Sequence, residues 1–122
     1  MIKYLALLFL LPLFVSDFGL MKEAEETSSI FRNIEVEGQN GVYKIQGETK
    51  RGEFFYTVED GHIQYIEEQK VTLKSKGKFK IEINIPKNEL PKNATLILNL
   101  YEQDGDGKIV NSYPVVLQKF YE

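Results

Sequence analysis

The chain has no cysteine, no tryptophan and a single histidine. Without cysteine there is no disulfide, no thiol nucleophile, no cysteine zinc site and no lipid-modified cysteine to hold the chain at a membrane. One histidine cannot build a multi-histidine metal centre, and carboxylates would have to complete any such set. Charge of one sign is lacking too: 15 basic residues stand against 18 acidic ones, giving a formal net charge of −3. Both signs are mixed along the chain, so no whole-molecule field marks a nucleic-acid binder. A length of 122 residues excludes a multidomain enzyme. Once the N-terminus is set aside, roughly 100 residues remain, enough for one modest core.

The one long apolar run opens the chain. In "MIKYLALLFLLPLFVS", Lys3 and the amino terminus form a basic start, Tyr4 to Val15 is apolar, and Ser16 and Asp17 break the run. It is shorter than the roughly 20 apolar residues of a spanning helix, and it reads as an export signal. A cut after Ser16 would put bulky Phe14, and a cut after Gly19 would put Asp17, where signal cleavage prefers a small residue. Residues 1–21 are therefore carried forward as signal peptide or membrane anchor, residues 22–30 as a polar tether, and residues 31–122 as the domain. Positive charge ahead of the run and "KEAEE" behind it place the domain outside the cytoplasm.

Beyond the tether, apolar residues recur with period two rather than about 3.6, which means strands. In "KFKIEINI", Phe79, Ile81, Ile83 and Ile85 share one face, and Lys78, Lys80, Glu82 and Asn84 the other. In "TLILNLYEQ", Leu96, Leu98 and Leu100 lie opposite Ile97, Asn99 and Tyr101, a central strand with a partly covered second face. "IEVEG", "VYKIQG", "EFFYTVED", "HIQYIEE", "KVTL" and "PVVLQKFY" supply the others, divided by Asn40-Gly41, Asp60-Gly61, Gly77, Pro86 to Pro91, and "DGDG" at 104–107. About seven or eight strands with almost no helix predict an all-β, immunoglobulin-like antiparallel sandwich of about seven strands. With no cysteine pair and no tryptophan, that label rests on architecture and not on antibody hallmarks.

Candidate chemistry is sparse. Asp60-Gly61 is read as a two-residue hairpin turn, with His62 starting the returning strand. Ser75 and Ser112 are the serines available to that histidine, and neither lies in a Gly-x-Ser-x-Gly turn. Glu35 and Glu37 share a strand face, the ordinary place for solvated glutamates rather than for a paired acid and base. "DGDGK" spaces Asp104 and Asp106 like the first EF-hand ligands, but Lys108 takes the third position and Val115 the closing one; the motif fails, and a hairpin loop is expected. "NAT" at 93–95 has the form of a glycosylation acceptor, meaningful only in a cell that uses it. No catalytic residue, metal site or cofactor is assigned.

Two stretches are candidate contact sites. Lys74, Lys76, Lys78 and Lys80 surround a glycine turn and form a basic hairpin that would hold an anionic wall polymer or membrane surface. The structural reading, preferred over it, is that strand lysines keep a sheet edge from pairing with other chains. Pro86, Lys87, Asn88, Glu89, Leu90 and Pro91 form a proline-stiffened loop fit to be offered to a partner.

Taken in order, "VYKIQGETKRGEFFYTVEDGH" and then "GKFKIEINIPKNELPKNATLILNLYEQDGDGKIVNSYPVVLQKFY" resemble the Gmad2 immunoglobulin-like domains associated with sporulation and spore germination in Gram-positive bacteria. The features are Gly47 closing the second strand, Gly52-Glu53-Phe54, "VEDGH", Gly77 to Phe79, and "LYE" followed by a glycine loop. Two departures are "ETKR", where the family has a small and apolar stretch, and the more charged segment after "GH". The resemblance implies a noncatalytic module working by contacts. The expected function is an exported or membrane-tethered interaction domain of the bacterial cell envelope, with an envelope or spore protein, or an anionic wall or membrane surface, as partner. Neither nucleic acid nor a small-molecule substrate is expected. The alternative is a secreted inhibitor of an envelope protease or lytic enzyme.

Overall fold

The computed structural model describes residues 30–75 and 77–121. Seven strands follow one another: β1 (Phe31–Gln39), β2 (Val42–Thr49), β3 (Glu53–Glu59), β4 (Gln64–Thr72), β5 (Gly77–Asn84), β6 (Ala94–Gln103) and β7 (Ile109–Phe120), with one short 3-10 turn (Lys87–Glu89) before β6. They form two antiparallel sheets, β1-β2-β5 and β4-β3-β6-β7. The segment read as signal or anchor, the tether up to Ser29, and Lys76 lie outside the described residues.

Period-two alternation decides which side of each strand is dry. On β5, Phe79, Ile81 and Ile83 are buried, and Lys78, Lys80 and Glu82 are exposed. On β6, Leu96, Leu98 and Leu100 are fully buried, and together with Tyr43, Ile45 and Val58 they fill the space between the sheets. Three rings join the sheets at one end. Phe54 of β3 packs edge-on against Phe31 of β1 and Phe79 of β5, with centroids 5.2 and 4.9 Å apart. A polar clasp joins them at the other end. The buried Tyr43 donates its hydroxyl to Gln118 Oε1 of β7 at 2.5 Å, and the amide of Asn40 donates to the same oxygen at 2.8 Å. The phenol thus has a partner where its ring is dry.

Two sequence expectations are corrected. "HIQYIEE" and "KVTL", read as two strands, are the single strand β4, and the described residues hold seven strands, the lower of the two expected counts. Asp60-Gly61 is not a two-residue turn: the last β3–β4 pair is Glu59 with Gln64, leaving a four-residue loop closed by Asp60 N–H to Ile63 C=O at 3.1 Å. Of that dipeptide only Gly61 has positive φ, and the Asp60 carboxylate caps the loop, accepting from the amides of His62 and Ile63 at 2.8 Å each. His62 is thus an exposed loop residue and not the start of a strand. Asn40-Gly41 is the genuine two-residue turn, flanked by the Gln39–Val42 pair, with φ of 54° and 100°.

Gly47 lies within β2, which runs on to Thr49, and does not close it. Where β1 bulges, Arg32 pairs with Glu48 and Glu35 with Gln46, so Asn33 and Ile34 both stand opposite Gly47. Ile34 and the Phe79 ring occupy the space a side chain would take: a Cβ on Gly47 would lie 2.4 Å from Ile34 Cδ1 and 2.9 Å from Phe79 Cζ. Gly47→Ala is expected to cost about 1–3 kcal/mol by overpacking, read from chemical denaturation midpoints.

Candidate functional site

Each outer face carries charges of both signs and one ion pair among the described residues, Arg32–Glu48 on one and Lys70–Glu53 on the other. Across the β1-β2-β5 sheet the register sets Glu37, Lys44 and Glu82 in one row and Arg32, Glu48 and Lys78 in another. Opposite charges stand side by side, with Arg32 Nε 3.5 Å from Glu48 Oε1, and each such pair is worth about 0.2–1 kcal/mol. Glu35 faces Gln46, and Lys80 lies beyond it on β5. Lys78 and Lys80 therefore belong to a mosaic of both signs on an edge strand, while Lys74 is exposed in the β4–β5 turn. The register does not gather these lysines into one uninterrupted basic surface.

In the segment 86–91, the 3-10 turn is held by Glu89 N–H to Pro86 C=O at 2.9 Å and Leu90 N–H to Lys87 C=O at 3.2 Å. Pro86, Lys87, Asn88 and Glu89 are exposed, whereas Leu90 packs against the core, so the loop presents its polar residues and is anchored by its leucine. Asp104 resembles Asp60 in its role: its carboxylate accepts from the amides of Asp106 and Lys108 at 2.8 and 2.9 Å and shapes the β6–β7 loop.

The outer face of β4-β3-β6-β7 carries an arrangement that sequence reading missed. Phe55 of β3 pairs with Tyr101 of β6 and their rings stack at 5.9 Å. Tyr101 is only 3% exposed although its strand face looks outward. Its hydroxyl donates to Glu68 Oε1 at 2.5 Å, reaching over β3 to β4, and Gln103 Nε2 donates to the same oxygen at 2.9 Å. One residue pair further on, Asn99 Nδ2 donates to Glu59 Oε2 at 3.0 Å, and the other oxygen of Glu59 accepts from the amide of Gly61. Register shifts in the β3–β4 pairing let β4 aim Glu68 across the sheet. Thr57, Gln64, Glu68, Asn99, Tyr101 and Ser112, with Ile109 at the rim, enclose a shallow cup of about 350 Å³. The signal available in the sequence was the polar row Asn99, Tyr101, Gln103 at period two on an otherwise apolar strand; its partner Glu68 is 33 residues away.

These carboxylates shift their neighbours. Burial first, and then the hydrogen bond to Glu68, raise the Tyr101 phenol well above its ordinary value of 10.0. Burial and Asp60 push Tyr65, whose hydroxyl donates to Asp60 at 2.8 Å, up to about 12. Asp60 is held below its ordinary range, chiefly by the amide of Ile63. A raised phenol contributes stability that is complete below pH 10 and is lost as pH climbs toward 12. Stability is therefore expected to fall through that window, and less steeply in Tyr65→Phe; denaturant midpoints measured across alkaline pH test this.

Among the described residues no group of three or more histidines or acids is placed to hold a metal ion. No protein-family model matches the chain, and neither a curated protein nor a solved structure matches it.

Proposed function

We propose that this chain is a noncatalytic immunoglobulin-like module, exported or tethered by its N-terminal segment at the bacterial cell envelope, which works by contacts and serves sporulation or spore germination. The observation that carries the reading is the strand order: β2 pairs with β5 and β3 with β6, across the sequence rather than along it. That crossing between facing sheets is the Greek-key habit of immunoglobulin-like sandwiches. The fourth strand lies beside β3 instead of completing the β1-β2-β5 sheet, so the module is a three-on-four variant of the usual seven-strand set.

The polar groups support the noncatalytic part of the reading through their existing partners. Asp60 and Asp104 shape loops, Glu102 takes Arg51 Nε at 2.7 Å and Asn111 Nδ2 at 2.7 Å, and Glu35 and Glu37 are exposed in β1. Alanine at Glu35, Glu37 and His62 together is expected to leave the cellular role intact in a strain complemented with the variant. Loss of the role with the fold retained would contradict the proposal. The preformed 3-10 turn favours a second reading, a secreted inhibitor that presents residues 86–91. That reading requires substitutions at Lys87, Asn88 and Glu89 to release an envelope protease or lytic enzyme, and unchanged hydrolase activity retires it.

A further inference from the structure

Four strands have a free edge, β1 and β5 in one sheet and β4 and β7 in the other. Three of them are irregular. β1 bulges at Asn33 and Ile34, with Asn33 at φ 56°, and the register of β4 shifts twice against β3. β7 shifts twice against β6, holds Asn111 at φ 55°, and carries Pro114, which has no N–H to offer. Breaks of this kind keep a further strand from adding. β5 has none of them: Gly77 to Asn84 face Thr49 to Val42 in eight consecutive pairs without a shift.

The bond from Ile85 N–H to the Gly41 carbonyl, 2.7 Å long, continues the β2–β5 ladder by one pair and fixes its phase. Bonded and non-bonded pairs alternate in an antiparallel ladder. Ile83, Ile81 and Phe79 therefore give their backbone groups to β2, while Asn84, Glu82, Lys80 and Lys78 turn theirs to the free edge, where no strand lies beside them. The side chains of those four residues are all exposed. Glu82 stands beside Lys44, but Lys80 stands beside Gln46 and belongs to none of the three ion pairs among the described residues.

A second β5 laid antiparallel on this edge must set edge-turned residues opposite edge-turned residues, so the register can slip only in steps of two. Centring on Lys80 or on Glu82 puts like charges face to face. Centring between them, with Ile81 opposite Ile81, sets Lys80 opposite Glu82 and Lys78 opposite Asn84, each twice. One row across both copies then reads Glu35, Gln46 and Lys80, followed by Glu82, Lys44 and Glu37 of the second copy. Lys80 thereby meets the acid that its own sheet does not place opposite it. On the dry side Phe79 meets Ile83, and both are buried residues of the core. The lysines still guard the edge, because they repel the neighbouring registers and admit this one.

We infer that the free edge of β5 pairs antiparallel with β5 of a second copy, joining two three-stranded sheets into one six-stranded sheet about a two-fold axis at Ile81. The inference stands on the β2–β5 register and the charges it displays, and does not rest on the envelope reading.

The test is sedimentation equilibrium of the full chain in zwitterionic micelles, at protein concentrations up to about 1 mM. A reversible dimer is expected. Lys80→Glu is expected to weaken it about tenfold, since both charge pairs across the axis become repulsive. Glu82→Lys should do the same, and an equal mixture of the two variants should restore the dimer, because each supplies the charge that the other lacks. The chain has no cysteine, so Lys80→Cys and Glu82→Cys read the register directly. Opposed residues of a bonded pair have Cα atoms about 5.5 Å apart, within disulfide reach, and a mixture of these variants should form the mixed disulfide faster than either forms its own. A monomer throughout the range would overturn the assignment. So would a dimer that neither charge reversal weakens, since its contact would lie elsewhere in the chain, or disulfides that form as fast within one variant as between the two. None of these outcomes bears on where the cell puts the chain.

Discussion

Phe54→Ala is expected to lower unfolding free energy by about 3–5 kcal/mol, the range for emptying a buried aromatic site. Phe54 is 0% exposed and is the β3 member of the ring cluster whose other members, Phe31 and Phe79, belong to the opposite sheet. Truncation removes its own burial and also one side of the edge-on contacts of two neighbours. Small single domains have only about 5–15 kcal/mol in total, and this chain has no disulfide to make up a deficit. The variant should therefore unfold at much lower denaturant, and Phe54→Leu, which refills most of the space, should recover the larger part of the loss. A loss below about 1 kcal/mol would mean that the sheets do not depend on this cluster.

Gly41→Ala is the second large effect, and Gly61→Ala is its control. The two glycines have nearly the same backbone, φ +100° and +95°, which L residues resist in either place. Around Gly61 nothing lies within 4 Å of a Cβ, whereas at Gly41 a Cβ would stand 2.2 Å from the carbonyl oxygen of Ile85. That carbonyl cannot swing away freely, because the amide of Ile85 donates to the Gly41 carbonyl at 2.7 Å and ties the β1–β2 turn to the end of β5. Gly61→Ala is thus expected to cost about 1–2 kcal/mol and Gly41→Ala at least about 3 kcal/mol. Equal costs would show that backbone conformation alone, and not the close approach to Ile85, sets the requirement at Gly41.

Where one strand determines the answer, the sequence could be read directly. "KFKIEINI" states by its alternation which residues of β5 are dry, and Asn40-Gly41 states its own turn because both φ values follow from the residue types. The limits appear wherever two distant strands must meet. A bulge resets the face of every residue after it, so the single strand β4 reads as two short ones when its register shifts are invisible. Nor does alternation say which sheet β4 joins; that choice puts Glu68 within reach of Tyr101. The lysines show the same limit from the other side. Counted along the chain, Lys74, Lys78 and Lys80 look like a basic patch, and only the pairing of Lys78 with Glu48 shows an acid beside it. Asp60 went astray for a local reason, since a carboxylate that accepts two amides makes a four-residue loop as good a solution as the tight turn the dipeptide usually signals.

The proposed export makes its own demand on this chain. Under the proposed export, the apolar run behind Lys3 carries the domain out of the cytoplasm. Fractionation of the producing cell through growth and sporulation, with intact mass measured on the recovered protein, tests it most directly. The account predicts either a full-length chain in the membrane fraction with its domain open to external protease, or a shortened chain in the exported fraction, and in either case accumulation toward sporulation. A full-length chain in the cytosol at every stage would contradict it.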